Sequence, residues 1–166
     1  MKYKLLLLTV LSAWFFSGQA EPPTNLQRFS KLATNQLSKE EIEILTFDGY
    51  PIARFVTEND ETRFFVQTDD FVKIFAYSGT TNLGIIFSEK GEIVSIDIIS
   101  SGDTRSYVRR LRRSGYLDQF IGFSGDQELT ALTGATISSQ AINKTVQQTV
   151  DRIQSFFVSS NDSIGD

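Results

Sequence analysis

An α+β fold is predicted from three observations. Between residues 52 and 99, five short runs rich in Val, Ile, Phe and Tyr are separated by turn residues. Near the end of the chain, Ile137, Ala141, Ile142, Val146, Val150, Ile153 and Phe157 recur at helical spacing, the stripe of a long amphipathic helix. A shorter segment, residues 105–113, carries a second apolar stripe among arginines. Together they predict a twisted antiparallel sheet of about five strands packed against a long C-terminal helix and a shorter Arg-rich helix.

In chain order, Lys2 and Lys4 precede an apolar run over residues 5–16, and Gly18 and Ala20 supply the small residues of a cleavage site. This is the pattern of a secretory signal peptide over residues 1–20, cleaved after Ala20. The run falls short of the roughly 20 apolar residues that span a bilayer, and no later stretch provides a span, so the mature chain is expected to be exported, with a periplasmic location. Leu26, Phe29, Leu32 and Ala33 fall at helical spacing. Ser38 and Glu41 form a capping-box pair ahead of Ile42 and Leu45, so residues 21–46 read as a helical N-terminal segment.

The turn Phe47-Asp48-Gly49-Tyr50-Pro51 opens a single domain over residues 47–158. Strands are expected over residues 52–57, 62–67, 72–77, 83–87 and 93–99, joined by links short enough for antiparallel neighbours. The last has few polar positions and is expected at the centre of the sheet with both faces covered. Asp103 or Thr104 then caps a helix that begins near Arg105, buries Tyr107, Val108 and Leu111, and stops at Gly115. Arg105, Arg109, Arg110, Arg112 and Arg113 cover its remaining surface. They read either as a solvated basic face or as a positive patch suited to a phosphate or an acidic partner. Leu117, Phe120, Ile121 and Phe123 form a short apolar segment, residues 124–128 an exposed loop, and residues 159–166 a flexible polar tail.

What is absent narrows the chemistry. The chain has no cysteine and no histidine, and its single Trp and single Met, Trp14 and Met1, lie in the leader. Disulfides, thiolate nucleophiles, histidine triads, iron-sulfur clusters, haem c attachment and ordinary zinc sites are excluded. Without Lys2 and Lys4 the formal charge of −4 becomes −6, which counts against general nucleic-acid binding.

The stretch Leu132-Thr133-Gly134-Ala135-Thr136-Ile137-Ser138-Ser139 leads into the C-terminal helix. Gly134 and Ala135 let backbone approach a ligand closely, Thr136 offers a hydroxyl, and the positive end of a helix begins there, so the stretch suits a phosphate. The same residues also make an ordinary N-cap, with Thr136 or Ser138 satisfying free amides. A hydrolytic serine at Ser138 or Ser139 lacks a base, since the nearest lysine is Lys144.

At Thr133-Gly134-Ala135-Thr136 the chain resembles the FMN-binding domains of Rnf and sodium-pumping NADH:quinone reductase subunits and of NosR-type regulators. Tyr77-Ser78-Gly79, Glu89-Lys90-Gly91-Glu92, Gly102-Asp103-Thr104 and Leu117-Asp118-Gln119-Phe120-Ile121-Gly122 resemble further landmarks, extending the likeness over about residues 75–157. The resemblance implies that Thr136 carries FMN through a phosphoester installed outside the cytoplasm by a flavin transferase that uses FAD. It implies that Thr133, Gly134 and Ala135 shape the turn, and that Ser138 and Ser139 bond phosphate oxygens. Asp103 and Thr104 stand where the family usually has Glu-Thr near the flavin. Where the signature usually has an aspartate, six residues before the modified threonine, this chain has Thr130. The implied function is electron transfer by a flavoprotein domain with a membrane or periplasmic redox partner, more an electron carrier than an enzyme with its own substrate. The alternative is the same fold without flavin, acting as a periplasmic sensor or accessory binding module.

Overall fold

Asp48 and Gly49 turn the first hairpin. A computed structural model of the protein describes residues 42–57 and 59–162, and in it both residues take positive φ, 50° and 81°. That backbone suits a two-residue loop between antiparallel strands. It joins β1 (Glu43–Phe47) to β2 (Tyr50–Val56), with Phe47 opposite Tyr50. β3 (Thr62–Gln67), β4 (Thr81–Ser88) and β5 (Ile93–Ser101) complete a five-stranded antiparallel sheet in the order β1-β2-β3-β4-β5. A short helix α1 (Thr68–Phe71) follows β3. After β5 come α2 (Arg105–Arg113), a 3-10 helix at Tyr116–Phe120 and α3 (Thr136–Asp162). The α+β architecture expected from the sequence is the one found.

One face of the sheet carries the main core. Ile52, Phe64, Val66, Leu83, Ile85 and Phe87 meet Ile142, Val146, Val150, Ile153 and Phe157 of α3, with Leu111 of α2 and Phe120 joining them. Each such side chain, fully buried, contributes roughly 1.5–3 kcal/mol of apolar transfer free energy. A smaller cluster of Ala53, Phe55, Phe65 and Ile86 lies on the other face. β4 feeds both clusters and is buried along seven of its eight residues.

Three expectations are corrected. β5 is an edge strand, and β4 is the buried inner one. The isoleucine density of β5 reflects contributions to both faces, with Ile93 and Ile98 on the main core and Val94 and Ile99 on the other. Its outer edge is met at one end by the chain after the 3-10 helix, through Ile93 N to Phe123 O (3.1 Å) and Gly122 N to Ile93 O (2.8 Å). Residues 72–77 form no strand; only Phe75 bridges Thr80, and Phe75 and Tyr77 are 72% and 60% exposed. Glu43–Phe47, read as the end of a helix, is β1. The signal peptide over residues 1–20 and the helix expected over residues 26–33 lie outside the described residues. α3 continues past the apolar stripe to Asp162. No helix among the described residues is long and apolar enough to cross a membrane.

Candidate functional site

The turn before α3 is closed by Ala135 N donating to Leu132 O at 3.0 Å, with Gly134 at φ +80° in its third position. A residue with a side chain is strained there, which accounts for the glycine. The first ladder bond of α3 runs from Ser139 N to Ala135 O (2.9 Å). The amides of Thr136, Ile137 and Ser138 therefore lie ahead of the ladder, at the positive end of the helix. Ser139 is fully buried; its hydroxyl accepts from Leu132 N (2.9 Å) and donates to Thr136 O (3.0 Å), binding the turn to the helix. Thr136 is exposed, and its hydroxyl takes no partner among the described residues.

Asp103 holds this turn to the sheet. It is 6% exposed, and its carboxylate meets three segments of the chain. Oδ1 accepts from Thr104 N (2.7 Å), Ser78 N (3.0 Å) and Ser78 Oγ (3.2 Å), while Oδ2 accepts from Ser138 Oγ (2.5 Å). Burial pushes its pKa upward and is the largest single influence, but the bonds from Ser138, Thr104 and Ser78 together hold it below the ordinary 3.8. The close approach of the Ser78 loop depends on Gly79, because a Cβ there would collide with the Gly102 carbonyl. Gly102 N donates to Thr80 O (2.9 Å), and the hydroxyls of Ser78 and Thr104 lie 3.1 Å apart.

α2 covers the other side of the turn. Arg110 Nη1 donates to Thr133 O at 3.3 Å, and its guanidinium lies over Gly134, where any Cβ would overlap it. A cleft of about 450 Å³ opens beside it, lined by Tyr107, Arg109, Arg110, Arg113 and Gly134 among others. A second, of about 390 Å³, lies between Ile98, Asp103, Arg105 and Arg112. No arginine of α2 makes an ion pair among the described residues. Tyr107 meets the exposed Tyr77 edge to face, with ring centroids 5.5 Å apart, and Ile137, next to Thr136, is 55% exposed.

Thr130 is exposed and joins a second polar network. Its amide and hydroxyl reach Gln119 Oε1 (3.0 and 3.3 Å), and its carbonyl accepts from Gln119 Nε2 (3.3 Å) and Asn143 Nδ2 (3.1 Å). The Tyr116 hydroxyl contacts Asn143 Oδ1 and Ser139 O, the latter at 2.8 Å. Burial raises the pKa of Tyr116, keeping it a neutral donor. Sequence reasoning missed Tyr116 and Asn143 altogether. Gln119, one residue before Phe120 in a quoted landmark, was the available signal.

All eight residues singled out from the sequence, Asp103, Thr104, Thr133, Gly134, Ala135, Thr136, Ser138 and Ser139, belong to this one assembly. The hydroxyls of Ser138 and Ser139 are buried and engaged by protein groups, so it is backbone amides that remain for an anion. Residues 76–151 match the family model of the FMN-binding domain. Over this segment the chain is similar to the FMN-binding domain family. The matched span opens just before Ser78, takes in Asp103 and the Thr136 turn, and ends within α3. FMN is the cofactor that this match indicates. No curated protein matches the chain.

The residues present fit the phosphate end of that cofactor. Gly134, lacking a Cβ, lets the Arg110 guanidinium lie directly on the turn, and three amides stand ahead of the ladder beside it. Backbone donors, a helix N-terminus and an arginine are the groups that hold phosphate esters.

Proposed function

We propose that the FMN-binding domain carries its FMN covalently, through a phosphoester to Thr136 Oγ1, and passes electrons between redox partners outside the cytoplasm. The observation that carries this reading is the contrast within the turn. Ser138 and Ser139 are locked into protein hydrogen bonds, whereas Thr136 is exposed at the start of α3 and its hydroxyl has no hydrogen-bond partner among the described residues. Attachment would join Thr136 Oγ1 to the phosphorus of the FMN half of FAD. The pyrophosphate link breaks, AMP leaves, and the hydroxyl proton is lost; a flavin transferase would supply this step.

Once bound, the flavin supplies reversible one- or two-electron chemistry. The chain's own part is to hold and to expose. The amides of Thr136, Ile137 and Ser138 take the phosphate charge, and Asp103 keeps the Ser78 loop, the β5 end and the helix start in register. Tyr77 and Ile137 offer exposed apolar surface near that point. An exported location is supported by the signal-peptide pattern of residues 1–20, and a membrane or periplasmic protein would be the redox partner.

The test is the intact mass of protein exported by a host that has a flavin transferase, beside a Thr136→Ala copy. One FMN, less one water, is expected on the first and none on the second.

A second reading is supported by Thr130. It occupies the position where the family signature has an acidic residue, and its polar groups are spent on Gln119 and Asn143. On that reading the fold serves without flavin, as a sensor or accessory module, and the exported protein is colourless and unmodified.

A further inference from the structure

Five arginines stand on nine residues of α2, all exposed, with no acidic residue in its first turn. Arg105 and Arg109, and Arg109 and Arg113, are four residues apart, a spacing at which like charges destabilise a helix. Arg110, Arg112 and Arg113 gain something from the negative end of the helix dipole, but Arg105 sits at the opposite end. No carboxylate among the described residues pairs with any of them. Asp103, beside Arg105 in the second cleft, has both oxygens taken by Ser78, Thr104 and Ser138. In a chain of net charge −4 this face has a charge that no carboxylate among the described residues balances.

The five differ in what they can do. Arg112 is committed to the Ile98 carbonyl at 2.6 Å, and with Arg105 it lines the cleft away from the turn. Arg110 alone lies on the turn, its guanidinium over Gly134 and one N–H on Thr133 O. A guanidinium has five N–H donors in a rigid fork, so most of its capacity is left over at Gly134, which is two residues along the chain from Thr136. Gly134 thus has a second reason to lack a side chain, since any Cβ would displace Arg110.

We infer that Arg110 is the positioning residue for the flavin's phosphate, and that with Arg109 and Arg113 in the same cleft it makes the site select a phosphorylated flavin over riboflavin. The inference rests on the reading of Thr136 as the flavin-bearing residue. The phosphate brings α2 the negative charge it lacks, up to two charges in free FMN and one in the diester to Thr136 Oγ1, and Arg110 holds it against the turn before and after that bond forms.

The test uses the full mature chain made without a flavin transferase, titrated with FMN and with riboflavin while flavin fluorescence is followed. A charge-assisted hydrogen bond corresponds to a preference for FMN of roughly tenfold or more. Arg110→Gln should remove most of that preference and leave riboflavin binding within about twofold, Arg110→Lys should keep part of it, and Arg105→Gln should keep it all. Equal binding of the two flavins by the native chain, or an undiminished preference in Arg110→Gln, overturns the inference. If the free chain binds neither flavin but carries FMN at Thr136 when the transferase is present, the phosphorus-31 resonance of the loaded chain decides. Movement with Arg110→Gln and not with Arg105→Gln supports the assignment, and no movement with either overturns it. A chain that neither binds nor attaches flavin overturns both this inference and the covalent reading; attachment without a role for Arg110 overturns this inference alone.

Discussion

Asp103 is buried, yet it stays charged because four donors converge on it from three parts of the chain. Its replacement by alanine leaves those donors unpaired inside the protein, and a loss of about 3 kcal/mol in urea unfolding at neutral pH is expected. The pH dependence follows from the direction of its shift. With the folded pKa below the ordinary 3.8, its contribution is fully present above 3.8 and is lost as pH falls from there through the folded value. The stability gap between native and Asp103→Ala chains should therefore narrow below pH 3.8 and stay constant from pH 5 to 7; a gap that widens on acidification would contradict the assignment. At this scale the sequence was partly legible. Gly134 and Thr136 could be read because a tight turn and a helix start are local matters. The role of Asp103 as a junction could not, because Ser78 and Ser138 lie 25 and 35 residues away and only the fold brings them to it.

Elements were legible where periodicity and turn chemistry agreed. β2 to β5 and α3 stand close to where the Val-, Ile- and Phe-rich runs place them. β1 was hidden because Ile42 and Leu45 are three residues apart behind a capping-box pair, while in the strand Leu45 and Phe47 point to the core side and Ile44 is 43% exposed. Residues 72–77 are rich in the apolar and aromatic residues that strands favour, but the ladder place next to β3 belongs to β4, and α1 turns the chain away first. Buried polar bonds secure that departure: Asn82 Nδ2 to Gln67 Oε1 (3.1 Å), and Thr68 Oγ1 accepting from Leu83 N (2.9 Å). α3 permits a test by comparing two substitutions. Ile153→Ala on its buried face should cost about 2–5 kcal/mol, and Ile137→Ala at its exposed start less than about 0.5, by thermal or urea unfolding. Equal costs would show that α3 does not pack through the stripe described.

Over the whole molecule, a meander whose spatial order repeats its sequence order leaves the chain few long excursions. The loop after residue 72, the end of β5 and the start of α3 meet at one place, and there the acidic chain presents its arginines. The division of labour is that the sheet and α3 supply the stability, while the meeting point supplies an open, anion-favouring surface around the exposed Thr136 hydroxyl. The central claim is that this hydroxyl, Thr136 Oγ1, carries the FMN. Intact mass spectrometry of native and Thr136→Ala chains, exported side by side in a host with a flavin transferase, tests it most directly. The account predicts one FMN, less a water, on the native chain and none on the variant; an unmodified native chain, or flavin still attached to the variant, would contradict it.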